Sequence, residues 1–325
     1  MKDNLNFAVI GVGYWGKKIT KEYLELTKIR HGFEMSMVCD LDPENLRYCS
    51  ERLGVPKENL FKDYQEALCS KDIDAVHICT PNDTHHTICK QALAAGKHVL
   101  LEKPMALTAK QALELVDMAD HKHLILQVGH IFRFNNALRV IRDLIEQNYF
   151  GDLYYLKLEW TTLSPSPVNR DIIFDLGPHP IDILNFLLSK WPSRVTCKAE
   201  AYRRESLEEL AYFTLEFDKK LMAHVELSWL QPGKKREVVV VGSERAATID
   251  CLSQSVSIHE NIDGDAFQLL LTCNNTILDE VSHFAESIAI NKNGRNSGYV
   301  GARNVAILES LRRSLEKKRT VNVSD

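Results

Sequence analysis

The sequence predicts an α/β protein in two parts. A doubly wound parallel sheet comes first, followed by an α+β domain on an open, mostly antiparallel sheet. Three observations carry this. Over roughly the first 125 residues, short apolar runs alternate with amphipathic stretches, the rhythm of strand and crossover helix. Later strand-like segments follow one another directly, as hairpin strands do. The length, 325 residues, exceeds one ordinary domain. The expected division is 1–126 and 127–325.

Taken in order, the apolar run Phe7 to Ile10 is long enough for a short buried strand. Gly11, Gly13 and Gly16 follow at G-x-G-x-x-G spacing, with Tyr14 and Trp15 between the last two. A helix then begins, with Ile19, Tyr23, Leu24 and Leu26 near one face. Strand, glycine turn and helix start are what a dinucleotide pyrophosphate needs. The first glycine makes the turn, the second lets the backbone approach the phosphates, and the third lets helix pack on strand. Phe33 to Cys39 reads as the next strand, ended by Asp40. A carboxylate there accepts hydrogen bonds from the adenosine ribose and repels a 2′-phosphate, and Leu41 stands where an arginine would welcome one. The expected cofactor is therefore NAD. The competing reading makes Asp40 only the start of the Asp40-Leu41-Asp42-Pro43 turn, with Asp42 as a helix cap.

The alternation continues with a helix over Glu44 to Leu53, ended by Gly54, and a very short strand at Leu60-Phe61. A small helix runs through Tyr64 and Leu68, and a strand over Asp74 to Thr80. Then come a helix from Thr84 to Ala95 closed by Gly96, a strand from His98 to Glu102, a helix from Thr108 to His121, and apolar Leu124 to Val128. Ligands of such sheets gather beyond the carboxyl ends of the strands. Two further strand ends are chemically loaded. Thr80-Pro81-Asn82-Asp83-Thr84-His85 suits a turn beneath a nicotinamide, with Asn82 or Asp83 also reading as helix caps. In Glu102-Lys103-Pro104, the proline biases Lys103 towards an extended backbone, so that its ammonium can enter the crevice.

In the second part, strands are expected at Leu153 to Thr161, Arg194 to Tyr202, Ala211 to Phe217, Leu221 to Trp229 and Glu237 to Val241. Helices are expected at Asn135 to Gln147, Pro178 to Leu188, Thr276 to Ile290 and Val300 to Lys317. A helix starting near Pro178 puts Asp175 at or just before its cap and His179 in its first turn. Oxidising an alcohol requires a base for the hydroxyl proton, and imidazole suits that task near neutrality. A carboxylate within reach orients the ring and stabilises its charged form. The competing reading is a capping aspartate beside an exposed histidine.

Composition excludes several classes. A formal charge of -4 offers no broad basic face to nucleic acid. No apolar run reaches membrane-spanning length, and the start of the chain lacks the apolar core of a signal peptide. The eight cysteines form no C-x-x-C pair, and Cys39, Cys79 and Cys197 sit in apparent strands. This usage points to a reducing cytoplasm and against disulfides or a zinc site; no metal is expected. His121-Lys122-His123 ends a helix, where cations suit the dipole, and Trp160 and Trp229 read as core or interface rather than stacking platforms.

These pieces resemble the Gfo/Idh/MocA oxidoreductases across essentially the whole chain. The resemblance rests on the glycine turn, Thr80-Pro81-Asn82 with His85, Gly96-Lys97-His98-Val99, Glu102-Lys103-Pro104, Arg133-Phe134-Asn135, and Asp175-x-x-x-His179-x-x-Asp182. It implies a Rossmann domain binding NAD through Gly11, Gly13, Tyr14, Trp15, Gly16, Asp40, Thr80, Pro81, Asn82, His85, Glu102 and Lys103. It implies Lys103 near nicotinamide and substrate, His179 as base and Asp175 as its partner. Two departures stand out. Val168 to Phe174 replaces a glycine pair common before that aspartate, and Asn136 stands where a proline commonly follows Arg-Phe-Asn. The version present, with Arg170 and later Ser228 to Arg236, is similar to members acting on nucleotide-linked sugars, the UDP-N-acetylglucosamine 3-dehydrogenase type among them. Arg170 would then meet substrate, and Lys234, Lys235 and Arg236 would either face its diphosphate or form a basic hairpin end in water.

The expected function is an NAD-dependent dehydrogenase acting at a sugar ring carbon, the 3-position by resemblance. The alternatives are a free-polyol (inositol-type) or monosaccharide dehydrogenase, and a non-catalytic NAD-binding sensor. One face of the open sheet needs covering, which leads to the expectation of a homodimer or homotetramer.

Overall fold

The computed structural model describes residues 4–165, 171–218, 220–260 and 266–323. They form two compact units, one of residues 1–131 with 275–305, the other of 132–274 with 306–325.

The first unit carries β1 (Leu5–Ile10), α1 (Tyr14–Ile29), β2 (Phe33–Cys39), α2 (Pro43–Leu53), β3 (Leu60–Phe61) and α3 (Gln65–Cys69). It continues with β4 (Ala75–Ile78), α4 (His85–Ala94), β5 (His98–Leu101), α5 (Ala109–His121) and β6 (Leu126–Val128). The sheet order is β3-β2-β1-β4-β5-β6, all pairs parallel. That is the doubly wound order, with its reversal between β1 and β4. Local signals explain the boundaries. Asp42 accepts a hydrogen bond from the Glu44 N–H at 2.9 Å, and Gly54 turns left-handed at φ 77° to end α2. Thr108 caps α5 through the Gln111 N–H. β1, β4 and β5 are largely buried on both faces, so they read as mostly apolar runs, interrupted in β4 by the buried His77.

The second unit carries α6 (Asn136–Glu146), β7 (Leu153–Leu163), α7 (Ile172–Leu176), α8 (Pro178–Leu188), β8 (Arg194–Glu200), β9 (Leu210–Glu216) and β10 (Met222–Ser228). Next come β11 (Leu230–Gly242), β12 (Ala246–Asp250), β13 (Ser255–His259) and β14 (Ala266–Leu269). α9 (Thr276–Ala289) lies in the first unit, α10 (Gly298–Lys317) follows, and β15 (Val321–Asn322) pairs back onto β8. The nine-stranded sheet runs β14-β13-β12-β11-β7-β10-β9-β8-β15, antiparallel except for β7 with β10. On β7, Leu156, Leu158 and Trp160 point into the core while Tyr155, Lys157 and Glu159 point to the other face. The core face packs on α6 and α8 through Leu138, Ile141, Leu184 and Leu187.

Residues 275–305 differ from the chain-order division at 126 by belonging with the first unit. The reason is packing: Val281, Phe284 and Ala285 of α9 complete the core around Phe7, Tyr23 and Leu26, with the Phe7 and Phe284 rings 6.0 Å apart.

Candidate active site

The ends of β1, β2, β4 and β5 gather the expected cofactor residues on the first unit. The Gly11 N–H donates to the Cys39 carbonyl at 2.8 Å, and φ at Gly11 is +86°. A side chain on Gly16 would meet the Gly11 carbonyl oxygen at 2.0 Å, so helix and turn touch backbone to backbone. Gly13 stands at the N-cap of α1 and makes no side-chain cap, which leaves the first N–H groups of a 16-residue helix for an anion. Tyr14 is exposed there.

Asp40 faces this turn. Its carboxylate accepts from the Val12 N–H at 2.6 Å, the Asp42 N–H at 2.8 Å and Asn45 Nδ2 at 3.3 Å. The capping role belongs to Asp42, and Asp40 ties β2 to the glycine turn. An uncapped helix start and a braced carboxylate at the next strand end fit NAD. Those residues would hold its pyrophosphate and adenosine ribose.

Beyond β4, Pro81 is exposed and Asn82 half-buried. Neither Asn82 nor Asp83 caps α4, because both lie in their own 3-10 turn and no side chain caps either segment. Thr84 Oγ1 holds the turn instead, at 2.7 Å from both Thr80 Oγ1 and the Pro81 carbonyl. His85 is buried, its Nδ1 2.8 Å from the Pro104 carbonyl and its Nε2 2.9 Å from the Thr80 carbonyl. It braces the turn from inside rather than presenting itself to a ligand. Lys103 is half-buried at the end of β5.

Glu102 is buried too, accepting from Trp15 Nε1 at 2.6 Å, with His77 Nε2 3.4 Å from the same oxygen. Burial pushes its carboxyl up, but His77, the Trp15 N–H and Lys103 outweigh that and hold it below the usual value. His77, Cys79 and Glu102 offer three ligand atoms within 4.8 Å of one another. Burial, Glu102 and Glu280 together push the Cys79 thiol well up. His77 was missed in the sequence because a histidine inside a buried strand carries no spacing signal.

On the second unit, Asp171 caps α7 through the Ile173 and Phe174 N–H groups. Asp175 is therefore buried inside α7, and Gly177, not Asp175, stands at the N-cap of α8. His179 lies in the first turn of α8, half-buried, with its ring edge-on to Phe132 at 5.2 Å. Phe132 packs in the same way on Trp160. Arg133 supports this helix from beneath: its Nε donates to Asp182 Oδ1 at 2.7 Å and its Nη2 to Asn185 Oδ1 at 2.6 Å. Trp160 and Trp229 are buried core, as expected.

The basic run splits by strand alternation. Lys235 pairs with Glu159 and Glu237, whereas Arg236 is buried, donating to the Thr161 and Lys235 carbonyls beside the Trp160 ring. Burial lowers the Arg236 pKa to about 10, with Asp175 acting in the opposite sense. Lys235 and Arg236 thus do not form one diphosphate patch. Arg170 lies outside the described residues.

Two family models match: residues 5–130 as "Oxidoreductase family, NAD-binding Rossmann fold" and residues 138–248 as "GFO/IDH/MocA C-terminal domain". The chain belongs to the Gfo/Idh/MocA oxidoreductase family. UDP-N-acetylglucosamine 3-dehydrogenase of Acidithiobacillus ferrooxidans is 26% identical over 322 residues, covering 96% of this chain and 98% of that one. Its solved structure superposes with a TM-score of 0.85 at 25% identity, over 97% of this chain and 98% of that one. Myo-inositol 2-dehydrogenase of Thermotoga maritima is 22% identical over 99% of both chains. Levoglucosan dehydrogenase in complex with NADH shares the fold, with a TM-score of 0.89 at 19% identity over 99% of this chain and 100% of that one. This chain is thus an oxidoreductase with an NAD-binding Rossmann domain. Among the described residues, no helix is long and apolar enough to cross a membrane.

Proposed function

We propose that this protein is an NAD-dependent dehydrogenase acting at the 3-position of a nucleotide-linked sugar such as UDP-N-acetylglucosamine. The observation that carries it is the placement of Asp175 and His179. A buried carboxylate sits in the short helix preceding α8, and an imidazole held edge-on by Phe132 stands in the first turn of α8. When bound, NAD supplies the hydride acceptor. His179 takes the hydroxyl proton, Asp175 supports the charge that the ring gains, and Lys103 donates a hydrogen bond to the reacting hydroxyl. The full-length similarity to the Acidithiobacillus enzyme favours the nucleotide sugar. The engagement of Lys235 and Arg236 elsewhere favours a second reading, a free-polyol dehydrogenase that needs no diphosphate contacts.

NADH formation on UDP-sugars beside free inositols and hexoses decides between them. His179→Ala is expected to lower kcat on the accepted substrate by about a hundredfold or more while NAD binding persists. Normal turnover by that variant would overturn the assignment.

We also infer a homo-oligomer formed through the outer sheet face, where Tyr155, Tyr212 and Met222 are exposed among the ion-paired Lys157, Glu159, Lys235 and Glu237. Sedimentation at micromolar protein should give at least a dimer, and Tyr212→Glu should shift it towards monomer. A monomeric wild type would refute the interface.

A further inference from the structure

Lys103, just beyond β5, is flanked by two residues whose positions are set by other segments of the chain. On its N-terminal side, the Glu102 carboxylate accepts the Trp15 indole N–H at 2.6 Å and lies 3.4 Å from His77. Trp15 belongs to the first turn of α1, the helix whose start is suited to the pyrophosphate. Gly129, following the neighbouring strand β6, leaves room for that carboxylate: a Cβ there would stand 2.8 Å from Glu102 Cδ and Oε2. On its C-terminal side, the Pro104 carbonyl lies 2.8 Å from one nitrogen of the buried His85 ring. The other nitrogen lies 2.9 Å from the Thr80 carbonyl at the end of β4.

We propose that Trp15 and His85 are positioning residues for Lys103: the indole N–H fixes Glu102 to the glycine turn, and the single N–H of the neutral imidazole, on Nδ1, donates to the Pro104 carbonyl and ties it to the start of α4, which follows the Thr80 turn. Lys103 is thereby held between two struts, one rooted in the first turn of α1 and one at the start of α4. Docking of a dinucleotide on the glycine turn and the aim of the lysine then depend on the same hydrogen bond. Neither strut needs to touch the reacting atoms. This inference rests on the role proposed above for Lys103, and only its kinetic part depends on the substrate.

Phe at position 15 keeps a ring but removes the N–H, and Phe at 85 removes both ring nitrogens. In hydrogen–deuterium exchange of the ligand-free protein, Trp15→Phe and His85→Phe should each speed exchange of the amides at 102, 103, 105 and 106 by about tenfold. The amides of β6 and α5 should be unchanged, which a general loss of packing would not spare. His85→Gln, which restores one donor, should recover part of the protection. On UDP-N-acetylglucosamine with NAD, both Phe variants should lower kcat about tenfold while KM for the sugar stays within about threefold; Trp15→Phe, which also loosens the glycine turn, should raise the NADH dissociation constant, and His85→Phe should leave it within about threefold. In a Lys103→Met background, the same substitutions should cost little more. Unchanged exchange at residues 102–106 in both variants overturns the bracing. If the exchange responds but Lys103→Met turns over normally, the role of Lys103 fails and the struts are architectural only. If wild type ignores UDP-N-acetylglucosamine, the nucleotide-sugar reading fails, and the exchange result still decides the bracing.

Discussion

A buried carboxylate kept charged makes a residue-sized contribution with a readable pH signature. Glu102 is held below its usual value of 4.5 in the folded protein, because His77, the Trp15 N–H and Lys103 outweigh the cost of burial. Beneath pH 4.5 the unfolded chain therefore binds the extra proton first. The stability this residue supplies is complete above pH 4.5 and is lost as pH falls through the folded value. Urea midpoints measured from pH 7 down to pH 3 should show a steeper acid loss for wild type than for Glu102→Gln. Equal slopes would remove Glu102 from the acid response. The same residue shows where reading a sequence stops. Glu102-Lys103-Pro104 is visible as a motif at a strand end, whereas the partners of its glutamate, Trp15 and His77, lie 87 and 25 positions away and meet it only through the sheet order. His85 likewise stands out by its place after the Thr80 turn, but its bond to the Pro104 carbonyl is a property of the folded chain.

At the scale of single elements, α8 depends on what lies beneath it. The Arg133–Asp182 pair is nearly sealed from water, at 7% and 2% side-chain exposure, and Asp182 sits one turn beyond His179. Arg133→Met leaves the Asp182 charge without that partner and is expected to destabilise by about 3–5 kcal/mol, read from chemical denaturation; a loss under 1 kcal/mol would make the pair incidental. Helices were legible because their caps and apolar faces are local: α2, α5, α6 and α8 begin and end within two residues of the expected positions. α7 was not, since a five-residue helix shows no periodicity, and it moves Asp175 from a cap into a helix. β12 and β13 were missed because Ala, Thr and Ser give them little apolar signal. β11 begins seven residues early, at Leu230 rather than Glu237, because Pro232 and Gly233 fall in a register shift opposite β7 instead of ending the strand.

For the whole molecule, cysteine placement is a test that requires no substrate. Cys69 and Cys273 are exposed. Burial pushes the Cys39, Cys49 and Cys197 thiols up to about 12, 11 and 12, and raises those of Cys79, Cys89 and Cys251 as well. A thiol reagent at pH 8 should modify two of the eight cysteines rapidly in the native protein and all eight in denaturant. Rapid reaction of four or more would contradict the packing. The two kinds of sheet, one doubly wound and parallel, one open and mostly antiparallel, were legible from the change in strand grammar, and both are present as expected. The return of 275–305 to the first unit was not legible, since nothing in the sequence of α9 names the core that its apolar face will join.

That return has a consequence for the order of events at the ribosome. Phe7, Tyr23 and Leu26 leave the exit tunnel early, yet the residues that finish their cover, Val281, Phe284 and Ala285, are translated some 250 positions later. The cofactor-binding sheet therefore waits, with part of one face bare, while the whole intervening segment is made. A nascent chain in that state is the one that a chaperone would recognise, and the apolar patch it offers disappears only when α9 arrives.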